Sequence, residues 1–300
     1  MLPKRPRARP VAGPRPGHRG GTGRHGAARG GPFVTVAVMS SDRGPTLREL
    51  AVQALSSVER GYDLLAPKFD RTPYRTPGRV LDAVTAALRP LGPFGTGLDL
   101  GCGTGAGLGV LRRVCRERVV GADFSAGMLA VARSAVPTVP GGPAVDLVRA
   151  DVRRLPFAEA FDLAVGFGAF GHFLPEERPA LFAGVHAALR PGGVFAFPLP
   201  APPPVGSRPY WALWGFDAAM RVRNALWRPP FVMYYRTFRL ADVRRELTGA
   251  GFEVGTAPLE GLGRRPDGSP RCRLVVARRC RPGEAARPGR AEGTTRDRRV

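Results

Sequence analysis

The stretch that most constrains this chain is Gly97-Leu98-Asp99-Leu100-Gly101-Cys102-Gly103-Thr104-Gly105. Phe94 to Leu100 reads as a short strand entering a turn so rich in glycine that its backbone can approach a ligand with no Cβ in the way. Ala106 to Arg118 reads as a helix, whose first N–H groups point back across the turn. Strand, glycine turn and helix N-terminus together make a cradle for a nucleotide or a carboxylate. The spacing alone leaves two readings open, because Gly101, Gly103 and Ala106 also fit the dinucleotide pattern G-x-G-x-x-G/A. Asp99 separates them, since an acid just before the turn gains nothing from a pyrophosphate and suits a ligand with cationic groups.

Further along the chain, Asp123 ends the apolar strand Arg118 to Ala122. Val145 to Ala150 forms a third strand ending in Asp151-Val152. Phe161 to Val165 forms a fourth, with Gly166, Phe167 and Gly168 at its end, and Leu189-Arg190-Pro191-Gly192-Gly193 precedes a fifth, Val194 to Phe197. These five features, in this order over about a hundred residues, resemble the class I S-adenosylmethionine-dependent methyltransferases, and in particular small-molecule enzymes of the ubiquinone and menaquinone biosynthesis type. S-adenosylmethionine carries a sulfonium, an ammonium and a carboxylate and no phosphate, so an acidic lip suits it. The resemblance implies that Asp99, Gly101, Cys102, Gly103 and Gly105 form the cofactor turn and that Asp123, followed by Phe124, accepts from both ribose hydroxyls. It further implies that Asp151 and Val152 meet the adenine and that Gly166 and Phe167 contact the methionine part.

Helix signals alternate with these strands. Gly78 to Arg89 is a helix leading into the first strand; later helices cover Ser125 to Val136, Pro175 to Arg190 and Leu240 to Gly251. Ser125 is placed as an N-cap, Pro175 as a start and Gly251 as a C′ stop. Phe252 to Thr256 and Arg271 to Arg278 supply two final strands. The alternation predicts an α/β fold with a mostly parallel sheet and helices on both faces. The resemblance makes this a Rossmann-like sheet of seven strands with the last antiparallel.

Residues 1–38 hold eight basic residues and no acid and are dominated by Gly, Pro and Arg, and residues 278–300 are a second basic stretch; both are expected to be disordered, leaving 39–277 as the domain. Met39, followed by Ser40-Ser41-Asp42, is read as an alternative translation start. The net charge of +22 invites a nucleic-acid reading, yet 44 of the 46 basic residues are Arg beside 40 Gly and 32 Pro, a skew that coding bias also produces. Phe33 to Met39, the apolar run of the arm, is far shorter than the roughly 20 residues of a membrane span, so a cytoplasmic location is expected. Cys102, Cys115, Cys272 and Cys280 include no C-x-x-C pair and do not group with the four histidines, so no metal site is expected.

From Thr46 to Ala66 apolar positions recur at near-helical spacing, and the segment Phe69-Asp70 to Pro77 resembles the one that covers the cofactor in small-molecule enzymes of the family. Tyr62, Phe69 and Tyr74 are therefore lid candidates, with packing of the entry helix as the alternative role. The connection 199–239 is the second covering element. It holds all three tryptophans, and Trp211, Trp214, Tyr234 and Tyr235 are candidates to choose an apolar or aromatic small-molecule acceptor, to pack the insertion onto the sheet, or to meet a membrane surface. His172, just past the fourth strand, is the candidate general base. No Asn-Pro-Pro-Tyr-type motif follows that strand, which argues against methylation of nucleic-acid amino groups. A nicotinamide oxidoreductase and an RNA-binding or RNA-methylating protein stand as the alternatives.

Overall fold

A computed structural model describes residues 58–72, 74–136, 139–173, 175–227 and 239–281. The basic arm, Met39, the first half of the entry helix, Tyr234, Tyr235 and all but the start of the basic tail lie outside the described residues. The chain enters through α1 (Val58–Leu65) and a 3-10 turn (Ala66–Arg71), then α2 (Gly78–Leu88). There follow β1 (Phe94–Leu100), α3 (Ala106–Leu111), β2 (Cys115–Asp123), α4 (Ala126–Ala135), β3 (Ala144–Arg149), β4 (Phe161–Gly166), α5 (Arg178–Ala188) and β5 (Leu189–Pro200). The chain closes with α6 (Arg208–Trp227), α7 (Leu240–Gly249), β6 (Phe252–Pro258) and β7 (Cys272–Arg279).

Seven strands form one sheet in the order β3-β2-β1-β4-β5-β7-β6. β1 to β5 run parallel, and β7 is antiparallel to both β5 and β6. The order reverses at β1, whose carboxyl end carries the glycine turn, and that crevice is where ligands of doubly wound sheets bind.

Alternation along the central strands sends side chains to two cores. Leu98, Leu100, Ala164, Phe195 and Phe197 join Phe182 and Val185 of α5 and Val243 and Leu247 of α7 on one face. Leu163, Val165, Val194 and Ala196 join Val80, Val84 and Leu88 of α2 and Leu108 and Leu111 of α3 on the other. Strands covered on both sides are mostly apolar; β4 departs from that only at Asp162, whereas β1 carries both Thr96 and Asp99. Phe170, Phe182, Phe195 and Phe197 pack as a ring cluster, with centroids 5.0–6.2 Å apart.

Several boundaries differ from expectation. The helix after the glycine turn stops at Leu111, seven residues early, and Cys115 already opens β2. The spacing of Leu108, Leu111, Cys115 and Val119 suits a continuing helix, but Cys115 and Val119 pair with β1, against Phe94 and Gly97, and the sheet takes them. α5 begins at Arg178, with Pro179 in its first turn, and not at Pro175. β5 starts at Leu189 and absorbs the Pro-Gly-Gly stretch expected to precede it, with an irregular register against β4. β7 extends to Arg279, two residues into the expected tail, where the Arg279 guanidinium donates to the carbonyls of His186 and Leu189. Ser125 caps α4 as expected, accepting from the Met128 N–H, and Gly251 follows α7 with φ +92°.

Candidate cofactor site

At the carboxyl end of β1 the chain turns through Gly101 (φ +64°), Gly103 (φ +51°) and Gly105 (φ +93°). A side chain at Gly105 is barred twice, by its backbone and by Val136, whose methyl would lie 2.7 Å from a Cβ there. The turn is pinned from within by the Gly105 N–H to the Cys102 carbonyl (2.8 Å) and the Cys102 N–H to the Ala122 carbonyl of β2 (3.0 Å).

Asp99 lies beneath this turn, 1% exposed, and neither of its carboxylate oxygens has a well-formed hydrogen bond, although the Leu108 N–H is directed toward it. Gly107 permits the arrangement, because a Cβ there would stand 2.4 Å from the carboxylate and 2.6 Å from the Phe167 ring. Burial, and then the charge of Asp123, hold the Asp99 carboxyl well above the usual carboxylate range. A buried acid with no partner is costly unless a donor arrives.

Asp123, at the end of β2, is fixed from both sides. Its Oδ2 accepts from the Gly103 N–H and its Oδ1 from the Ser125 N–H, each at 2.9 Å. Burial raises its pKa, with these backbone donors opposing. The glycine turn and the β2 acid are therefore one hydrogen-bonded unit, with the Phe124 N–H as a third backbone donor to the carboxylate.

A pocket opens against this unit, between Asp99 and the turn on one side and Phe69, Tyr74 and Phe167 on the other. Aromatic faces and a carboxylate suit a cation, and Arg75, also at this wall, suits a carboxylate. The set thus fits the sulfonium, ammonium and carboxylate of a methionine moiety, with Asp123 left for the ribose.

The entry segment is tied down over the site by two acids that the sequence reading did not single out. Asp63 of α1 accepts from the Ser125 hydroxyl (2.5 Å) and the Gly127 N–H (2.8 Å), while Asp70 accepts from the Thr104 hydroxyl of the glycine turn (2.6 Å) and pairs with Arg75 (3.1 Å). Tyr62 packs edge-on against Phe124, centroids 5.8 Å apart. Burial, together with Asp123, raises its phenol pKa.

Of the other expected site residues, Cys102 lines this pocket, whereas Asp151, Val152 and Gly166 do not. Asp151 does stand just past β3, but its carboxylate accepts from the Arg153 N–H (2.9 Å) and from the guanidinium nitrogens (2.7–3.0 Å). Burial raises its pKa, and the Arg153 hydrogen bonds and charge outweigh that and hold it low. The Val152 side chain packs into the core, and Gly166 leaves room for the Phe170 ring, 2.5 Å from where a Cβ would be. The Cys102 thiol is buried and pushed far up in pKa by that burial and by the nearby acids, a state suited to packing and not to attack. His172 ends a short 3-10 turn after β4, its side chain outside the described ones. Trp211 and Trp214 do not line the pocket and are 57% and 60% exposed. Among the described residues, no group of three His, Cys, Asp or Glu side chains is placed to hold a metal, and no helix is long and apolar enough to cross a membrane.

A doubly wound sheet with a glycine turn after β1 and an acid ending β2 defines a nucleotide-cofactor-binding α/β domain. Residues 98–193 match the family described as "Methyltransferase domain". Three curated relatives align with part of the chain. A carboxy-S-adenosyl-L-methionine synthase of Photobacterium profundum is 31% identical over 32% of this chain and 40% of its own length. A tRNA (carboxymethyluridine(34)-5-O)-methyltransferase of Saccharomyces cerevisiae is 30% identical over 49% of each. A trans-aconitate 2-methyltransferase of an Azoarcus species is 38% identical over 37% of this chain and 41% of its own length. The chain thus spans less than half the length of each. Among solved structures, an S-adenosylmethionine-dependent methyltransferase from Clostridium acetobutylicum shares the fold, with a TM-score of 0.50 and 14% identity over 69% of this chain and 93% of that one. Residues 98–193 are thus similar to a methyltransferase domain and sit on a Rossmann-like seven-stranded sheet.

Proposed function

We propose that the protein transfers the methyl group of S-adenosylmethionine to a small acceptor. The observation that carries this reading is Asp99, a fully buried carboxylate without a well-formed hydrogen bond, facing an aromatic-walled pocket beside the glycine turn. Asp99 would hold the ammonium end, Arg75 the carboxylate and Asp123 the ribose hydroxyls. The cofactor, when bound, supplies a methyl carbon already activated by the sulfonium. What remains for the chain is to bind, orient and exclude water, and positioning of this kind is worth roughly 7–11 kcal/mol. Asp63 and Asp70 contribute by holding Phe69 and Tyr74 over the turn. Where the acceptor must lose a proton, His172 is the residue to replace first, with a fall in kcat at unchanged cofactor affinity as the expected result.

An apolar or aromatic acceptor is favoured by the aromatic content of 199–239. The second reading is an RNA acceptor, supported by the aligned yeast tRNA enzyme and the charge of +22. The nicotinamide alternative rested on glycine spacing alone and has no support from the family match or from an acid buried under the turn. Binding of S-adenosylhomocysteine by the full-length chain, followed by methyl transfer from radiolabelled cofactor to aromatic, apolar and tRNA pools, tests the reading. Label that enters tRNA alone would replace the small acceptor with RNA.

A further inference from the structure

α6 is built unlike the other helices. At about 100° per residue, Trp211, Trp214, Gly215, Ala218 and Val222 fall within one arc of roughly 100°. That arc faces solvent: Trp211, Trp214 and Val222 are 57%, 60% and 59% exposed, and Val205, in the turn before the helix, is 85% exposed. Trp211 and Trp214 stack edge to face, centroids 6.0 Å apart. By the same helical register Arg208 and Arg221 border the arc on its two sides, and residues 205–239 hold six Arg against a single acid, Asp217. Leu213, on the other side of the helix, is less exposed than the two tryptophans. The helix follows the carboxyl end of β5, the end of the sheet that carries the glycine turn.

We propose that α6 docks the protein on the surface of an anionic lipid bilayer, lying in the interface with Trp211, Trp214 and Val222 among the acyl chains and arginines at the headgroups. An exposed tryptophan pair bordered by arginines is the composition of an interfacial helix, whose binding combines apolar burial with attraction to anionic lipid. Charge decides the occupant: net +5 over 205–239 fits a sheet of phosphates. The proposal stands apart from the methyl-transfer reading and does not need it.

The three tryptophans of the chain, Trp211, Trp214 and Trp227, all lie on α6, so intrinsic fluorescence reports on this helix alone. The full-length protein is titrated with vesicles of phosphatidylcholine containing phosphatidylglycerol, with phosphatidylcholine vesicles and with single-stranded RNA. The expected result is a blue shift, and quenching by brominated lipid, with the anionic vesicles alone. Co-sedimentation should weaken about tenfold or more in the Trp211→Ala/Trp214→Ala double variant and in Val222→Glu, at unchanged thermal unfolding midpoints. Vesicle binding without a spectral shift would assign the affinity to the basic termini and overturn the proposal. So would equal binding by the variants, or a shift produced by RNA and not by vesicles.

Discussion

The glycine turn follows the carboxyl end of β1 and α6 follows that of β5, and the two are built on opposite terms. At the turn, each polar group is fixed by another: Asp123 by the Gly103 and Ser125 N–H groups, Thr104 by Asp70, and Ser125 by Asp63. Asp99 is the member without a well-formed hydrogen bond, and it lines the pocket. On α6 Trp211 and Trp214 are turned outward, and more than half of each is exposed. The turn is organised to hold one ligand in one pose, whereas the outer face of α6 offers area with little geometry. The first arrangement belongs to a cofactor site, the second to a surface.

Substitutions should separate the two regions most sharply at Asp123. Asp123→Ala removes two hydrogen bonds to a charged group, each about 1.5–3 kcal/mol, so affinity for S-adenosylhomocysteine measured by calorimetry should fall at least about 100-fold. Asp99→Asn comes next, with affinity reduced about tenfold or more, as expected when a charged partner of the ammonium becomes neutral. The same change should stabilise the unliganded fold. Burial raises the Asp99 carboxyl above its unfolded value of 3.8, so its contribution to stability is present in acid and is lost as pH rises toward the folded value. Thermal unfolding of Asp99→Asn should therefore match the parent at low pH and exceed it at pH 8; a variant less stable than the parent at pH 8 would mean that Asp99 is satisfied within the fold.

Smaller effects are expected where the entry segment meets the turn. Asp63→Ala leaves the Gly127 N–H and Ser125 hydroxyl of α4 without their acceptor and should cost about 1–3 kcal/mol in denaturant unfolding. Least affected should be Trp211→Ala, within about 0.5 kcal/mol of the parent, because an exposed side chain contributes little to folding. A loss of several kcal/mol there would place Trp211 in a core and end the contrast between the two regions.

How much of this was legible in the sequence follows the same division. The β1 strand, its turn, Asp99 and Asp123 could be read because local sequence determines them: alternation sets the strand, and glycines mark positive φ where the chain must bend. Asp63 and Asp70 could not, since their partners lie 62 and 34 residues away and nothing local distinguishes either acid from a solvated one. The early end of α3 was hidden because Leu108, Leu111, Cys115 and Val119 satisfy helical spacing while the last two serve the sheet. The tryptophans were visible as a concentration of aromatics, but spacing does not say whether such residues pack inward, and the exposure of Trp211 and Trp214 came from the fold. Asp151 was expected to meet adenine, and its engagement by Arg153 depends on side-chain geometry that spacing does not carry.

The most direct test of the central claim, that the buried Asp99 carboxyl, its pKa raised by burial, pairs with a cationic ligand, is calorimetric titration of the full-length protein with S-adenosylhomocysteine in two buffers of different ionisation enthalpy, with NADH in a parallel cell. Pairing with the ammonium should lower the pKa that burial raises, so binding should be micromolar or tighter, with an enthalpy that depends on the buffer in the sense of proton release and with affinity that rises with pH. Asp99→Asn should abolish the buffer dependence. Binding of NADH in place of S-adenosylhomocysteine, or binding of S-adenosylhomocysteine with no proton released, would contradict the account.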